Sequence, residues 1–164
     1  MAERRIVRFP SSGKNSLSEW WKVKNPLSVA WNFKCIFLAK YAPSLALKRF
    51  LYRLTGMKVG KDVSVGAGAM FDFFFPEMIE IRDNSVIGYG SLILAHEFLV
   101  KEYRTGRVVI GKNVMIGANS TVLPGVVIGD KATVSAMSLV NSDVPEGAFF
   151  GGVPAILIAK KVKG

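Results

Sequence analysis

An aliphatic residue recurs at every sixth position from Ile110 to Val140. Ile110, Ile116, Val122, Ile128, Val134 and Val140 open six hexapeptides that run in unbroken register to Pro145. Six residues advance an α-helix by about 600°, so these side chains would scatter around a helix and bury no stripe. In extended chain an even spacing keeps all of them on one face, while Gly111, Gly117, Pro124, Gly125 and Gly129 interrupt any long strand at regular intervals. The pattern therefore predicts short strands joined by corners. The fifth residue of each repeat (Val114, Ser120, Val126, Ala132, Ser138, Val144) is small or β-branched, as a tight corner facing a narrow interior needs. A fixed short period of this kind marks a parallel β-helix, whose coils stack at about 4.8 Å and are not stable singly.

The phase continues upstream in Val59, Val65 and Phe71 and again in Ile81, Ile87 and Ile93, with Val63, Ala69, Phe75, Ser85 and Ser91 at the fifth positions. It slips by ten residues between Phe71 and Ile81 and by seventeen between Ile93 and Ile110. Interruptions of a solenoid map to loops, where repeat proteins carry function. Ahead of the repeats, residues 27–41 are apolar almost all round, broken by Lys34 and Lys40. Leu47, Phe50, Leu51 and Leu54 then make an amphipathic stripe opposite Lys48, Arg49 and Arg53, with Ser44 to cap the start and Gly56 the end. The chain thus divides into a basic, largely helical extension over residues 1–56 and a mainly β solenoid with a C-terminal tail over residues 57–164.

Half of the 164 residues are hydrophobic, enough for one such domain without staples. The single Cys35 excludes an intramolecular disulfide framework and fits a cytoplasmic protein; in an apolar helical stretch it reads as buried filler. The net charge of +10 sits in the extension and the first turn after it: residues 1–62 hold thirteen Lys/Arg and three Asp/Glu, and the remainder holds nine of each. The end of the solenoid, a neighbouring subunit or an anionic membrane surface could cover this basic, apolar region, with the first two preferred. No nucleic-acid motif accompanies the charge, so no nucleic-acid partner is expected. The first ten residues lead into no apolar run, so no signal peptide is expected. Residues 113–129 are uncharged but carry Asn, Ser, Pro and the six-residue period, which reads as solenoid and not as a membrane span.

The chain has one histidine, His96, at the lip of the second slip, where Glu97 takes the fifth position and the coil breaks. Together with the His96 segment, residues 71–81, 110–118, 122–130 and 151–155 resemble the hexapeptide-repeat acyltransferases, in particular the galactoside and maltose O-acetyltransferase branch, over about residues 57–164. The resemblance implies a left-handed β-helix of triangular section, a homotrimer with active sites between subunits, acetyl-CoA as donor, and a hydroxyl of a carbohydrate-like acceptor. It makes His96 the general base, a role worth roughly 10²- to 10⁴-fold in rate. The ring's tautomer then needs a second contact, for which Glu97 or a backbone carbonyl are candidates.

The same resemblance puts Ala118 and Ala136 where the pantetheine arm approaches the backbone, Asn141 at another coenzyme contact, and Pro154 near the adenine end. Where the family places basic residues this chain has Ser142, Ile156 and Ala159, so Lys160 and Lys161 are the candidates for the phosphates; Met115 replaces a common tryptophan. Asp72 and Glu77, among Phe71, Phe73, Phe74 and Phe75, match the acceptor-side loop, and carboxylates accept hydrogen bonds from sugar hydroxyls; they could equally cap turns. The loop over residues 97–109, with Lys101, Arg104 and Arg107, covers the site, binds an anionic acceptor or is simply solvated. The metal-dependent carbonic anhydrases of this fold need three histidines, and one histidine removes that class and any metal centre of its kind. The competing reading is a non-catalytic trimeric scaffold that docks through its basic helices.

Overall fold

The computed structural model describes residues 4–160. A strand at Val7–Pro10 (β1) and helices at Trp20–Val23 (α1), Pro26–Tyr41 (α2) and Leu45–Arg53 (α3) precede the coil. The first coil contributes Lys58–Val59 (β2), Ser64–Val65 (β3) and Met70–Phe71 (β4), and the second Ile79–Ile81 (β5), Val86–Ile87 (β6) and Leu92–Ile93 (β7). A hairpin of His96–Phe98 (β8) and Glu102–Thr105 (β9) interrupts here. Val108–Ile110 (β10), Met115–Ile116 (β11) and Thr121–Val122 (β12) make the third coil, and Val127–Ile128 (β13), Thr133–Val134 (β14) and Leu139–Val140 (β15) the fourth. Ala148–Gly151 (β16) and Ile156–Lys160 (β17) close the far end.

Successive strands go to successive faces, giving three sheets in the orders β2-β5-β10-β13, β3-β6-β11-β14-β16-β17 and β4-β7-β12-β15, all parallel except the β16–β17 pair. The chain is mainly β, and its six-residue period becomes one face of a coil. Ile110 lies over Ile128, Ile116 over Val134 and Val122 over Val140, each in register. All six of these side chains are buried, as are the fifth-position residues of the same repeats. Burying an aliphatic side chain contributes about 1.5–3 kcal/mol, and here each one packs on its counterpart in the next coil, which is why the stack is cooperative.

The corners impose a demand that the apolar pattern does not express. At most corners the fourth residue of the hexapeptide adopts positive φ: Asp62, Asn84, Asn113 and Asn119 at 55°, Gly68 at 75°, Gly125 at 80°, but also Lys131 at 59° and Met137 at 57°. Asn and Gly tolerate this left-handed region at little cost. Lys131 and Met137 are held there by the pairing of the coils on either side. Asn84 and Asn113 also bond side chain to side chain at 2.7 Å, linking neighbouring corners.

The helices close the near end. The first coil has no coil beneath it, so its carbonyls would be left without donors. The basic residues of α3 supply them: Lys48 Nζ donates to the carbonyl of Gly66, and to that of Lys40 at the end of α2, Arg49 to that of Val63, and Arg53 to those of Val59 and Gly60. Lys48 is itself buried, and burial pulls its pKa down. Tyr52 sits beneath the core with its ring 4.8 Å from Phe71, and its buried hydroxyl has no hydrogen-bond partner among the described residues. Burial pushes this phenol's pKa well above the ordinary tyrosine value. A raised folded-state pKa means stability that is fully present below the unfolded value, about pH 10, and is lost as pH rises beyond it. Tyr52→Phe keeps the ring and removes the orphan hydroxyl. Thermal melts should show it about 1 kcal/mol more stable at neutral pH, with a shallower alkaline decline than the parent.

Candidate active site

Both register slips leave the coil from the same corner. Phe71 and Ile93 each end the third strand of their coil, and β4 pairs with β7 so that Phe71 lies against Ile93. The backbone N–H of Asp72 donates to the carbonyl of Ile93, so the two slips start side by side. From the first, Asp72 turns inward. Its Oδ1 accepts from the N–H groups of Phe74 at 2.9 Å and Phe75 at 3.0 Å, and its Oδ2 from those of Ala95 at 2.8 Å and His96 at 2.9 Å. The same Oδ2 meets Nδ1 of His96 in a short hydrogen bond.

The Asp72 side chain is fully buried and that of His96 is 13% exposed. A carboxylate only accepts, so its contact puts the proton on Nδ1 and leaves the lone pair on Nε2. Nε2 has no hydrogen-bond partner among the described residues. The imidazole is walled by Phe74, Phe98 and Phe75, with ring centroids at 4.9, 4.6 and 5.7 Å. Such a ring is oriented, partly desolvated and free to take a proton at one atom.

The other candidates fall in different places. Asp72 has both oxygens occupied by five hydrogen bonds within the chain, so it is a support for His96 and has no free oxygen for an acceptor hydroxyl. Glu77 is exposed and paired with Lys24 at 2.5 Å, because the short turn Pro76–Met78 carries it toward the helices. Ala118 and Ala136 stack on another corner, one coil apart, where the N–H of Met137 bonds the carbonyl of Ala118. Asn141 follows β15 on the same corner column as Asp72, two coils beyond the His96 level, with its buried Oδ1 unpartnered among the described residues. Pro154 is exposed in the turn from β16 to β17, Lys160 ends β17, and Lys161 lies outside the described residues.

Two expectations change. Glu97 does not fix the histidine's tautomer; it turns away to a two-point contact with Arg4, at 3.1 and 3.3 Å, and Asp72 takes that place. The loop after His96 is a built element, a hairpin whose outer strand β9 pairs antiparallel with β1, so the first residues of the described chain complete a sheet in the order β1-β9-β8. Phe9 stacks on Tyr103 at 4.6 Å and Arg8 pairs with Glu102. Arg104 and Arg107, read as possible anion ligands, instead pair with Glu102 and Glu80. Arg104 and Glu102 are partly buried, whereas Arg107 is half exposed, so the Arg107 pair contributes little to stability. Strand counting would have exposed the shared corner of Asp72 and His96, since each slip follows the third strand of a coil; nothing in the apolar pattern marks β1.

The arm leans on Gly125. A Cβ there would lie 2.7 Å from the Arg5 carbonyl oxygen, and the residue's φ is +80°. Gly125→Ala is therefore expected to push the arm off β9, at a cost of about 1–3 kcal/mol. Faster tryptic cleavage at Arg5 and Arg8 in the variant, with the coil intact, would report it.

A coil of hexapeptides with a carboxylate-held histidine at its interruption defines a class: acyltransferases of the hexapeptide-repeat kind. The hexapeptide repeat of succinyl-transferase family matches residues 107–137. The chain is 50% identical over 159 residues to "Putative acetyltransferase YvoF" of Bacillus subtilis (strain 168), covering 96% of this chain and 92% of that one. It is 43% identical over 137 residues to "Putative lipopolysaccharide biosynthesis O-acetyl transferase WbbJ" of Escherichia coli (strain K12), covering 62% and 70%. Among solved structures, a galactoside acetyltransferase in complex with coenzyme A superposes with a TM-score of 0.61 at 20% identity, over 87% of this chain and 90% of that one. The chain belongs to the hexapeptide-repeat acetyltransferases.

Proposed function

We propose that this protein moves an acetyl group from acetyl-CoA to a hydroxyl of a carbohydrate-like acceptor, with His96 as general base. The observation that carries the reading is the contact of Asp72 Oδ2 with His96 Nδ1, which leaves Nε2 as the basic atom. In the step we infer, Nε2 takes the acceptor's hydroxyl proton as that oxygen bonds to the thioester carbonyl carbon. The tetrahedral oxyanion then collapses, the C–S bond breaks, and the departing thiolate receives the proton back from the imidazolium. Positioning and a hydrogen-bond donor for the oxyanion supply the remainder of the acceleration. The aromatic wall of Phe74, Phe75 and Phe98 keeps the base out of bulk water.

The coenzyme reading draws on the galactoside acetyltransferase bound to coenzyme A, and the hydroxyl acceptor on the names of that enzyme and of WbbJ. Ala118 and Ala136 sit on a corner other than that of His96, an arrangement that fits a left-handed homotrimer in which one subunit's corner faces the next subunit's histidine. In that assembly Ala118, Ala136, Asn141, Pro154, Lys160 and Lys161 form the coenzyme groove, and residues 1–56 are a helical extension packed on the coil domain of residues 57–164. The test is thiol release from acetyl-CoA across a panel of sugars and other alcohols. Binding should also appear directly: coenzyme A at about 100 times its dissociation constant adds roughly 2.7 kcal/mol to stability. No thermal protection by coenzyme A would favour a non-catalytic scaffold instead.

A further inference from the structure

We propose that the outward face of the helical unit docks on an anionic lipid surface. One side of that unit is used up by the coil, where Val29, Cys35, Ile36, Ala39 and Tyr52 are buried. The other side is open: Trp31, Phe37, Leu38, Tyr41, Leu47 and Phe50 are all exposed, with Leu27 at 80%. Between α2 and α3 several of these line an open apolar cavity of about 450 Å³. An exposed apolar patch of this extent marks an interaction surface.

Charge selects the occupant. From Trp20 to Lys61 the chain carries nine Lys/Arg and no Asp/Glu. Lys48, Arg49 and Arg53 cap the coil's carbonyls, and Lys22 and Lys24 pair with Glu19 and Glu77. Lys34, Lys40, Lys58 and Lys61 form no ion pair among the described residues. A second copy's helices would set another carboxylate-free cationic stretch against the first, and the repeats offer no net negative charge to offset it. Anionic headgroups supply the missing charge, and the pattern of Trp and Tyr beside lysines along an apolar face is that of an interfacial helix. No helix among the described residues is long and apolar enough to cross a membrane, so the mode is docking in the plane. The docked unit is joined to the site loop, since Asn32 bonds the Phe73 carbonyl, Phe33 packs on Phe73, and Trp20 packs on Phe74.

The experiment is flotation of the full chain with vesicles of phosphatidylcholine, with and without phosphatidylglycerol. We expect binding to the anionic vesicles that weakens with added salt, little binding to phosphatidylcholine alone, and quenching of tryptophan emission by brominated lipid. Lys34→Gln with Lys40→Gln removes two surface charges and should lower partitioning about thirtyfold, with thiol release on a soluble acceptor unchanged. Phe37→Ser with Leu38→Ser should abolish binding at any salt while the circular dichroism stays that of the parent. Absence of binding to anionic vesicles, or parental binding by both double variants, would overturn the proposal. So would an oligomer that dissociates only in Phe37→Ser/Leu38→Ser, which would put a second copy on this face. Vesicle binding is read without turnover, so its failure is separate from any failure of acetyl transfer.

Discussion

His96→Ala is expected to lower turnover at least a hundredfold while leaving the melting temperature within a few degrees of the parent. A positioned general base contributes roughly 10²- to 10⁴-fold, and the imidazole is the only one the chain has. Its removal costs little in folding, because the ring projects from a hairpin beside the coil and is absent from the stacked interior, whose aliphatic columns are complete without it. Thiol release under saturating acetyl-CoA and acceptor gives the rate, and a thermal melt gives the fold. Retention of more than a tenth of parental turnover would remove His96 as the base.

Asp72→Asn should also slow turnover by about a hundredfold or more, for a different reason. The change is nearly isosteric, and an amide oxygen in the Oδ1 position can still accept from Phe74 and Phe75. An amide nitrogen in the Oδ2 position cannot accept from the N–H groups of Ala95 and His96. If that nitrogen donates to Nδ1, it stabilises the tautomer with its proton on Nε2, which is the wrong atom for a base. The variant should therefore lose kcat with little change in KM for acetyl-CoA, and also lose some stability because two buried N–H groups are left without acceptors. A rise in KM for the acceptor with kcat unchanged would return Asp72 to acceptor binding. Comparison with Glu97→Ala separates the neighbours, since Glu97 faces Arg4 and its loss should affect the arm more than the chemistry.

The repeats were legible because a six-residue period has only one packing solution. Ile110, Ile116 and Val122 cannot share a helical face, and each lies buried over its counterpart eighteen residues on. The position of His96 at a coil break was legible for the same reason, since a register slip must leave the stack. What the apolar pattern could not carry is any contact made by polar groups across the fold. Asp72 and His96 are 24 residues apart, and only the pairing of β4 with β7 sets them together. Arg4 reaches Glu97 across 93 residues, and β1 joins the histidine's hairpin with no periodicity to announce it.

The basic helices illustrate the division most plainly. Composition alone located the positive charge in the extension and left three coverings open. Tertiary structure divides the labour: Lys48, Arg49 and Arg53 serve the coil's unpaired carbonyls, while Lys34 and Lys40 stand on α2 beside an exposed apolar face. Local sequence determined the coil, because backbone geometry turns a fixed spacing of aliphatic residues into one buried face. The contact of His96 with Asp72 and the pairing of β1 with the hairpin were decided only by folding, because hydrogen bonds depend on which atoms meet in space, and residues distant along the chain meet only once the coils have stacked.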